Sequence, residues 1–266
     1  MTALRHFLLA LQFFTRIPVT GRLAAWVGYS PAMLHASSAH FPGVGWVVGG
    51  VAALVMAGAL AWLPAWPLGA LVAAVLATIA TVWITGAFHE DGSADTADGL
   101  GGGLTRERAL EIMKDSRIGS YGTVALLLAL VLKVALLALI AQRGAWPAAA
   151  ALLAAHALSR LAPLVVMRSL PYVSDAAHAK AKPIAEAVTG RGFGIGCLWS
   201  IPALALIWQA QGALGLIASL LLWAAALAFM LRLLRRRLQG FTGDTLGATQ
   251  QVCELALYLG FALAWP

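Results

Sequence analysis

Seven of the eleven acidic residues in this 266-residue chain fall between positions 90 and 115: Glu90, Asp91, Asp95, Asp98, Glu107, Glu111 and Asp115. Like charges held this close resist ionisation unless a cation joins them. Asp91, Asp95 and Asp98 are spaced i, i+4, i+7, which at about 3.6 residues per turn sets three carboxylates on one helical face, able to converge on one ion or two. Oxygen-only ligands suit hard Mg²⁺ or Mn²⁺, and Mg²⁺ commonly shares a few carboxylates with substrate phosphates while keeping water elsewhere. A charged helix end facing water would explain the solubility of the segment but not the shared face.

Gly99-Leu100-Gly101-Gly102-Gly103 follows at once. Its missing side chains either let backbone N–H groups approach a phosphate or hinge two short helices. Thr105 then caps an expected helix, RERALEIMKDSRIG, in which Glu111 and Asp115 are again four apart and Gly119 marks the end. Lys114 and Arg117 on it bring cations beside the acids. Carboxylates for a metal next to Lys and Arg for phosphate oxygens stabilise charge in phosphoryl transfer, whereas a salt-bridged surface helix is the plainer reading.

Further along, Arg160 lies inside AAHALSRLAPLVV, and a guanidinium at bilayer depth needs a cavity or an acid. His156, one turn earlier, suits an interhelical hydrogen bond. GFTGDTLGATQQVCELALYL supplies Asp244, placed to complete the metal or substrate site, and Glu254, a buried partner for Arg160 or for Lys133.

The elements that position these groups belong in a membrane. The chain is 61% hydrophobic and 11% charged with a mean hydropathy of +0.84, outside the range of soluble globular proteins. Apolar runs long enough to cross a hydrocarbon core of about 30 Å occur near 43–63, 66–88, 121–142, 146–168, 193–209, 212–231 and 247–265, so the expected fold is one all-α, polytopic helical bundle of about seven spans. The opening MTALRHFLLALQFFTRIP is too short to span and reads as a retained interfacial or re-entrant helix. With the N-terminus inside, fifteen of the eighteen Lys and Arg residues face the cytoplasm, only Arg143 lies outside, and Lys133 and Arg160 sit within spans. The net charge of +7 therefore reports topology and not nucleic-acid binding. Function is expected on the inner face, where the loops at 89–120, 169–192 and 232–246 are long and polar. Cys197 and Cys253 sit in apolar runs without metal-type spacing, so neither a disulfide nor a zinc site is expected. No repeat or linker divides residues 1–266, which read as one domain.

The combination of LQFFTRIPV, FHEDGSADTADG, LEIMKDSRIGSYG, the Ser-Arg pair of ALSRL, and GFTGDTLGA with Glu254 following resembles the adenosylcobinamide-GDP ribazoletransferase, or cobalamin synthase, family over most of the chain. The resemblance implies a Mg²⁺-dependent enzyme of the bacterial inner membrane that joins adenosylcobinamide-GDP to α-ribazole or its 5′-phosphate with loss of GMP. It implies Asp91, Asp95, Asp98 and Asp115 as metal-binding and catalytic residues, and Lys114, Arg117, Arg160 and Asp244 as substrate contacts. Within the 169–192 loop, where the match is less clear, only Arg191 is carried over. Glu90 stands where the family pattern is apolar, which sets it apart from the flanking acids. Asp95-Thr96-Ala97-Asp98-Gly99 also resembles the opening of the CDP-alcohol phosphatidyltransferase motif, but Leu100-Gly101-Gly102-Gly103 stands where an Ala-Arg pair belongs. An ion-coupled transporter is a third reading, disfavoured by the absence of an inverted repeat and by acids gathered in one loop instead of at the midplane.

Overall fold

The structure, a computed structural model, describes residues 2–173 and 188–263. Lys180 and Lys182, two of the cations expected on the inner face, lie outside the described residues. The helices are α1 (Thr2–Phe14), α2 (Gly21–Val27), α3 (Pro31–Ser37), α4 (Phe41–Trp62), α5 (Pro67–Thr85), α6 (Phe88–Gly102), α7 (Arg106–Ile112), α8 (Ser120–Ala141), α9 (Ala145–Ser159), α10 (Leu161–Ser169), α11 (Gly190–Arg237) and α12 (Gly243–Leu263). Proline opens α3, α4 and α5, where its missing N–H goes unused.

Five helical stretches are long and apolar enough to cross a membrane: Pro31–Trp62, α5, α8, Ala145–Ser169 and α11. Leu127, Leu128 and Val131 of α8 and Ile79 and Trp83 of α5 turn outward, a surface matched to lipid and not to water. Small residues let backbones meet inside. Gly45 and Gly49 of α4 lie directly against the α9 backbone at His156 and Leu152, so a methyl group at either would force the helices apart.

α11 is two rods. Gly212 sits inside it at φ +67°, a conformation that ends a right-handed helix. Arg168 Nη1 donates to the carbonyl of Val188 (3.2 Å), just before α11, and Tyr172 pairs with Phe241, just after it. Both ends of α11 thus return to the end of α10, and the halves run antiparallel from a reversal at Gly212. That break falls where the sequence separates runs 193–209 and 212–231.

The bundle has two unlike ends. The α4–α5 and α8–α9 turns line one shared cavity. At that end Arg143 donates to the carbonyls of Phe261 (2.7 Å) and Ala262 (2.6 Å), closing the C-terminus of α12. At the other end Arg237 donates to the carbonyls of Leu100 (2.9 Å) and Gly103 (2.7 Å), while Arg106 donates to that of Leu238 (2.7 Å). α6 and α11 are therefore capped by each other's neighbourhoods, and these cations serve helix ends.

Charge also lies in the interior. Lys133 Nζ of α8 is 2.6 Å from Glu254 Oε1 of α12, and both side chains are buried. His156 Nδ1 of α9 lies 3.2 Å from Glu254 Oε2, to which Gln250 also donates at 2.6 Å. Of the two partners expected for Glu254, Lys133 holds the place. Arg160, between α9 and α10, instead donates Nη1 to the His156 carbonyl (2.8 Å) and lies 3.2 Å from His156 Nδ1. Removing one partner from a buried pair leaves an uncompensated charge and typically costs about 3–5 kcal/mol. Lys133→Met and Glu254→Gln are each expected to lower the melting temperature sharply in detergent, and the double replacement to recover most of the loss. Additive losses would show that the two charges do not depend on one another.

Candidate active site

Gly86 (φ +65°) and Ala87 (φ +59°) both adopt left-handed backbone and turn the chain from α5 into α6. α6 carries Asp91 in its first turn, exposed, and Asp95 one turn later, half-buried. Across from them begins α12. Thr242 and Thr245 exchange backbone-to-hydroxyl bonds (Thr242 N–H to Thr245 Oγ1, 2.9 Å; Thr245 N–H to Thr242 Oγ1, 3.3 Å), so the helix start is capped without Asp244. At Gly92 the two helices touch: a Cβ there would stand 2.8 Å from the Asp244 carbonyl oxygen and 3.0 Å from its Cα. Glycine at 92 is what lets Asp244 reach the Asp91–Asp95 face.

The electrostatics follow from that proximity. Burial, then the charges of Asp244, Asp91 and Asp98, pushes the Asp95 carboxyl up to about 7. Asp244 is likewise raised, by burial first and by Asp91 after the opposing pull of its own backbone hydrogen bond. The group is rich in oxygen ligands and short of positive charge, which fits a hard divalent cation. Among the described residues no three His, Cys, Asp or Glu side chains already stand converged as a metal site.

Asp98 also serves the backbone. It is 8% exposed, and its Oδ2 and Oδ1 accept from the backbone N–H groups of Gly119 (2.7 Å) and Gly122 (2.8 Å). Both oxygens are occupied in holding the first turn of α8 against α6. Asp115 is engaged as well. Thr105 does cap α7, accepting from Arg108 N–H at 3.2 Å, but the helix ends at Ile112, so Glu111 and Asp115 do not share a helical face. Asp115 accepts instead from Arg117, through the backbone N–H (3.0 Å) and the guanidinium (2.7 Å at Nη2), and this pairing pulls its carboxyl down to about 2. The side-chain-to-backbone bond offers the chain a turn in place of another helical turn. Glu111 pairs with Arg108 at 2.7 Å.

The glycine stretch is neither hinge nor phosphate cradle as it stands. Gly99 to Gly102 are helical, and a Cβ at Gly99 would meet Met113 (2.5 Å) and the Ala109 carbonyl oxygen (2.8 Å), so these residues let α7 lie close on α6. Lys114 is exposed on the turn after α7, and Arg191 is exposed in the first turn of α11. Arg160 is buried beside the start of α12, lining a cavity with Gly243, Leu246 and Gln250. Glu90 is buried and accepts from Gln251 Nε2 (3.0 Å), a tie between α6 and α12. What the sequence placed on one face the structure divides: Asp91 and Asp95 join Asp244, while Asp98, Asp115 and Arg117 line a neighbouring surface cavity.

The Asp95 carboxyl titrates near 7 when folded against 3.8 when free, so the folded protein holds that proton more tightly. Its contribution to stability is fully present below pH 4 and is lost as the pH rises through 7. In chelator, the melting temperature of the wild-type protein is expected to fall between pH 4 and 7 more steeply than that of Asp95→Asn. Parallel melting curves for the two proteins would remove Asp95 from the repelling group.

Comparison with known proteins places the chain in a family. Residues 6–262 match the Cobalamin-5-phosphate synthase family. The chain is 55% identical to the adenosylcobinamide-GDP ribazoletransferase of Polaromonas naphthalenivorans, with 98% of each chain covered. It is 52% identical to that of Leptothrix cholodnii, covering 98% of this chain and 97% of the relative. Against that of Shewanella amazonensis it is 45% identical, covering 98% and 96%. No solved structure matches the chain. A match that runs nearly end to end, through both FHEDGSADTADG and GFTGDTLGA, establishes that this chain belongs to the Cobalamin-5-phosphate synthase family.

Proposed function

We propose that the chain joins adenosylcobinamide-GDP to α-ribazole or its 5′-phosphate at the face shared by α6 and α12, releasing GMP. The observation that carries this reading is the close approach of α12 to α6 at Gly92, which sets Asp244 near enough to Asp91 and Asp95 for the carboxylates to act on one another, in a chain whose relatives bear the ribazoletransferase name. Their carboxylates would hold Mg²⁺, or Mn²⁺, which when bound supplies positive charge to the diphosphate and to the leaving phosphate. A ribose hydroxyl oxygen of the ribazole forms the new bond to the phosphorus that carries the cobinamide. The bond from that phosphorus to the bridging oxygen breaks, and GMP departs with that oxygen. The hydroxyl proton passes to a carboxylate of the α6 face. Asp115, tied to Arg117, and Asp98, with both oxygens engaged, are the least suited to take it. Holding both substrates in line accounts for most of the rate, since little covalent chemistry is asked of the protein.

The membrane setting extends the same reading. Splitting α11 at Gly212 and counting α12 gives seven crossings, with lipid against the outward apolar faces of α5, α8 and α11. The N-terminus and the acidic face then lie in the cytoplasm, inside the inner membrane, where nucleotide substrates are supplied. The CDP-alcohol phosphatidyltransferase and transporter readings gain nothing from the family match or from the position of the acids.

Asp91→Asn, Asp95→Asn and Asp244→Asn are each expected to lower GMP release from adenosylcobinamide-GDP at least ~100-fold while leaving membrane insertion intact. Near wild-type turnover in any two of them would dissolve the proposed cluster. Single cysteines placed in 99–108 or 232–246 are expected to react with impermeant reagents from the cytoplasmic side only. Periplasmic labelling of either segment would invert the orientation.

A further inference from the structure

Beside the starts of α6 and α12 lies a cavity whose lining includes none of the carboxylates. Four phenylalanine rings surround it: Phe13 and Phe14 of α1, Phe41 of α4 and Phe88 of α6. Their centroids stand 4.1 Å apart for Phe14 and Phe41, 5.5 Å for Phe14 and Phe88, and 5.7 Å for Phe13 and Phe88. His89, Arg160 and Gln250 are the hydrogen-bonding side chains of its lining, and of these Arg160 and Gln250 carry unpaired atoms. Arg160 is 3% exposed and its Nη1 is committed to His156, but its Nε–H has no partner; nor has Gln250 Oε1, although Gln250 is fully buried. A buried guanidinium N–H left unpaired in such surroundings forgoes a charge-assisted bond, an arrangement that a ligand's acceptor would complete. Phe88 lies three residues before Asp91, and Gly243 adjoins Asp244, so the backbone that walls the cavity also carries the acids.

We propose that this cavity is the subsite for the base of the ribazole, an apolar bicyclic heteroaromatic ring whose free nitrogen accepts the Arg160 Nε–H bond. The proposal rests on the ribazole-transfer reading above and assigns a place to one of its two substrates. Guanine is a poor occupant, because its edge presents more donors and acceptors than the unpaired Arg160 Nε–H and Gln250 Oε1 meet. The corrinoid ring system is too wide, and an acyl chain gains nothing from a guanidinium. A benzimidazole is almost wholly apolar, stacks on aromatic rings and offers one acceptor, which matches the lining. With its base here, the ribose would lie toward Asp91 and Asp244. The cavity is narrow, about 30 Å³ as it stands, so the base enters by turning aside the rings at its mouth, Phe88 (38% exposed) and the half-buried Phe13.

The test uses the full chain in detergent and two ribosides of one shape: benzimidazole riboside, and indole riboside, in which C–H replaces the accepting nitrogen. Equilibrium dialysis is expected to show the benzimidazole compound binding about 10–100-fold more tightly to the wild-type protein. Arg160→Met is expected to abolish that preference, and Phe88→Ala to weaken both ligands by about 10-fold. Equal affinity of the wild-type protein for the two ribosides, or binding of neither, overturns the assignment without recourse to a variant that must fold. GMP release, followed in parallel, separates the two readings. A benzimidazole preference without GMP release defeats the transfer reaction and leaves the cavity assignment, whereas GMP release with equal KM for both ribosides defeats the cavity assignment alone.

Discussion

Glu254 sits where α8, α9 and α12 meet, and its carboxylate has no water to turn to. Lys133 approaches from α8, His156 from α9, and Gln250 from one turn earlier on α12, itself 2.9 Å from Ser159 of α9. In a lipid-facing bundle apolar contact does little to choose between registers, since the outside is as apolar as the inside. A buried charge does choose, because sliding α12 by one turn would strand Glu254 and Lys133 separately. The acidic face at the end of α12 inherits its position from this pairing.

Once α12 is fixed along its axis, its first turn must arrive beside α6 at a chosen height. The Gly92 contact with Asp244 sets that height, and the Glu90–Gln251 bond sets the rotation. Asp91 and Asp95 then face Asp244 with no cation of the protein among the causes that shift Asp95, and the repulsion is expressed as a carboxyl held near neutrality. Stability and function pull in opposite directions here. The burial and neighbouring charges that raise Asp95 and Asp244 are what a divalent cation at the proposed site would offset.

Much of this was legible in the sequence, and the parts that were not share a cause. The spacing of Asp91 and Asp95 is a local fact, fixed by helical geometry, and it held. The long apolar runs, the break near Gly212 and the Thr105 cap are local as well. Asp98 has the same spacing as its neighbours, but its partners are backbone N–H groups 21 and 24 residues on, and only the folded path of 103–119 brings them there. Glu254 had two plausible cations by depth alone, and choosing Lys133 needs the rotation of α8. The helix expected to run to Gly119 stops short of Asp115, whose carboxylate bonds the backbone two residues later. The signal was present, since an Asp two residues before a chain reversal is a known turn former, but helical periodicity outweighed it.

The motif FHEDGSADTADGLGGG therefore combines two instructions that run along one helix. From His89 to Asp95 its residues address α12 and the proposed site, with Gly92 thin enough to admit Asp244. From Asp98 to Gly103 they address α7 and α8: a carboxylate that starts one helix, glycines that let the other lie close, and terminal carbonyls received by Arg237. The second half keeps the first in place, because α6 is braced at both ends before its middle meets a substrate. Acidic spacing alone cannot separate the two, since a carboxylate that caps a helix and one that faces a cation carry the same charge at the same period. Only the folded path adds the difference that backbone N–H groups engage the oxygens of Asp98.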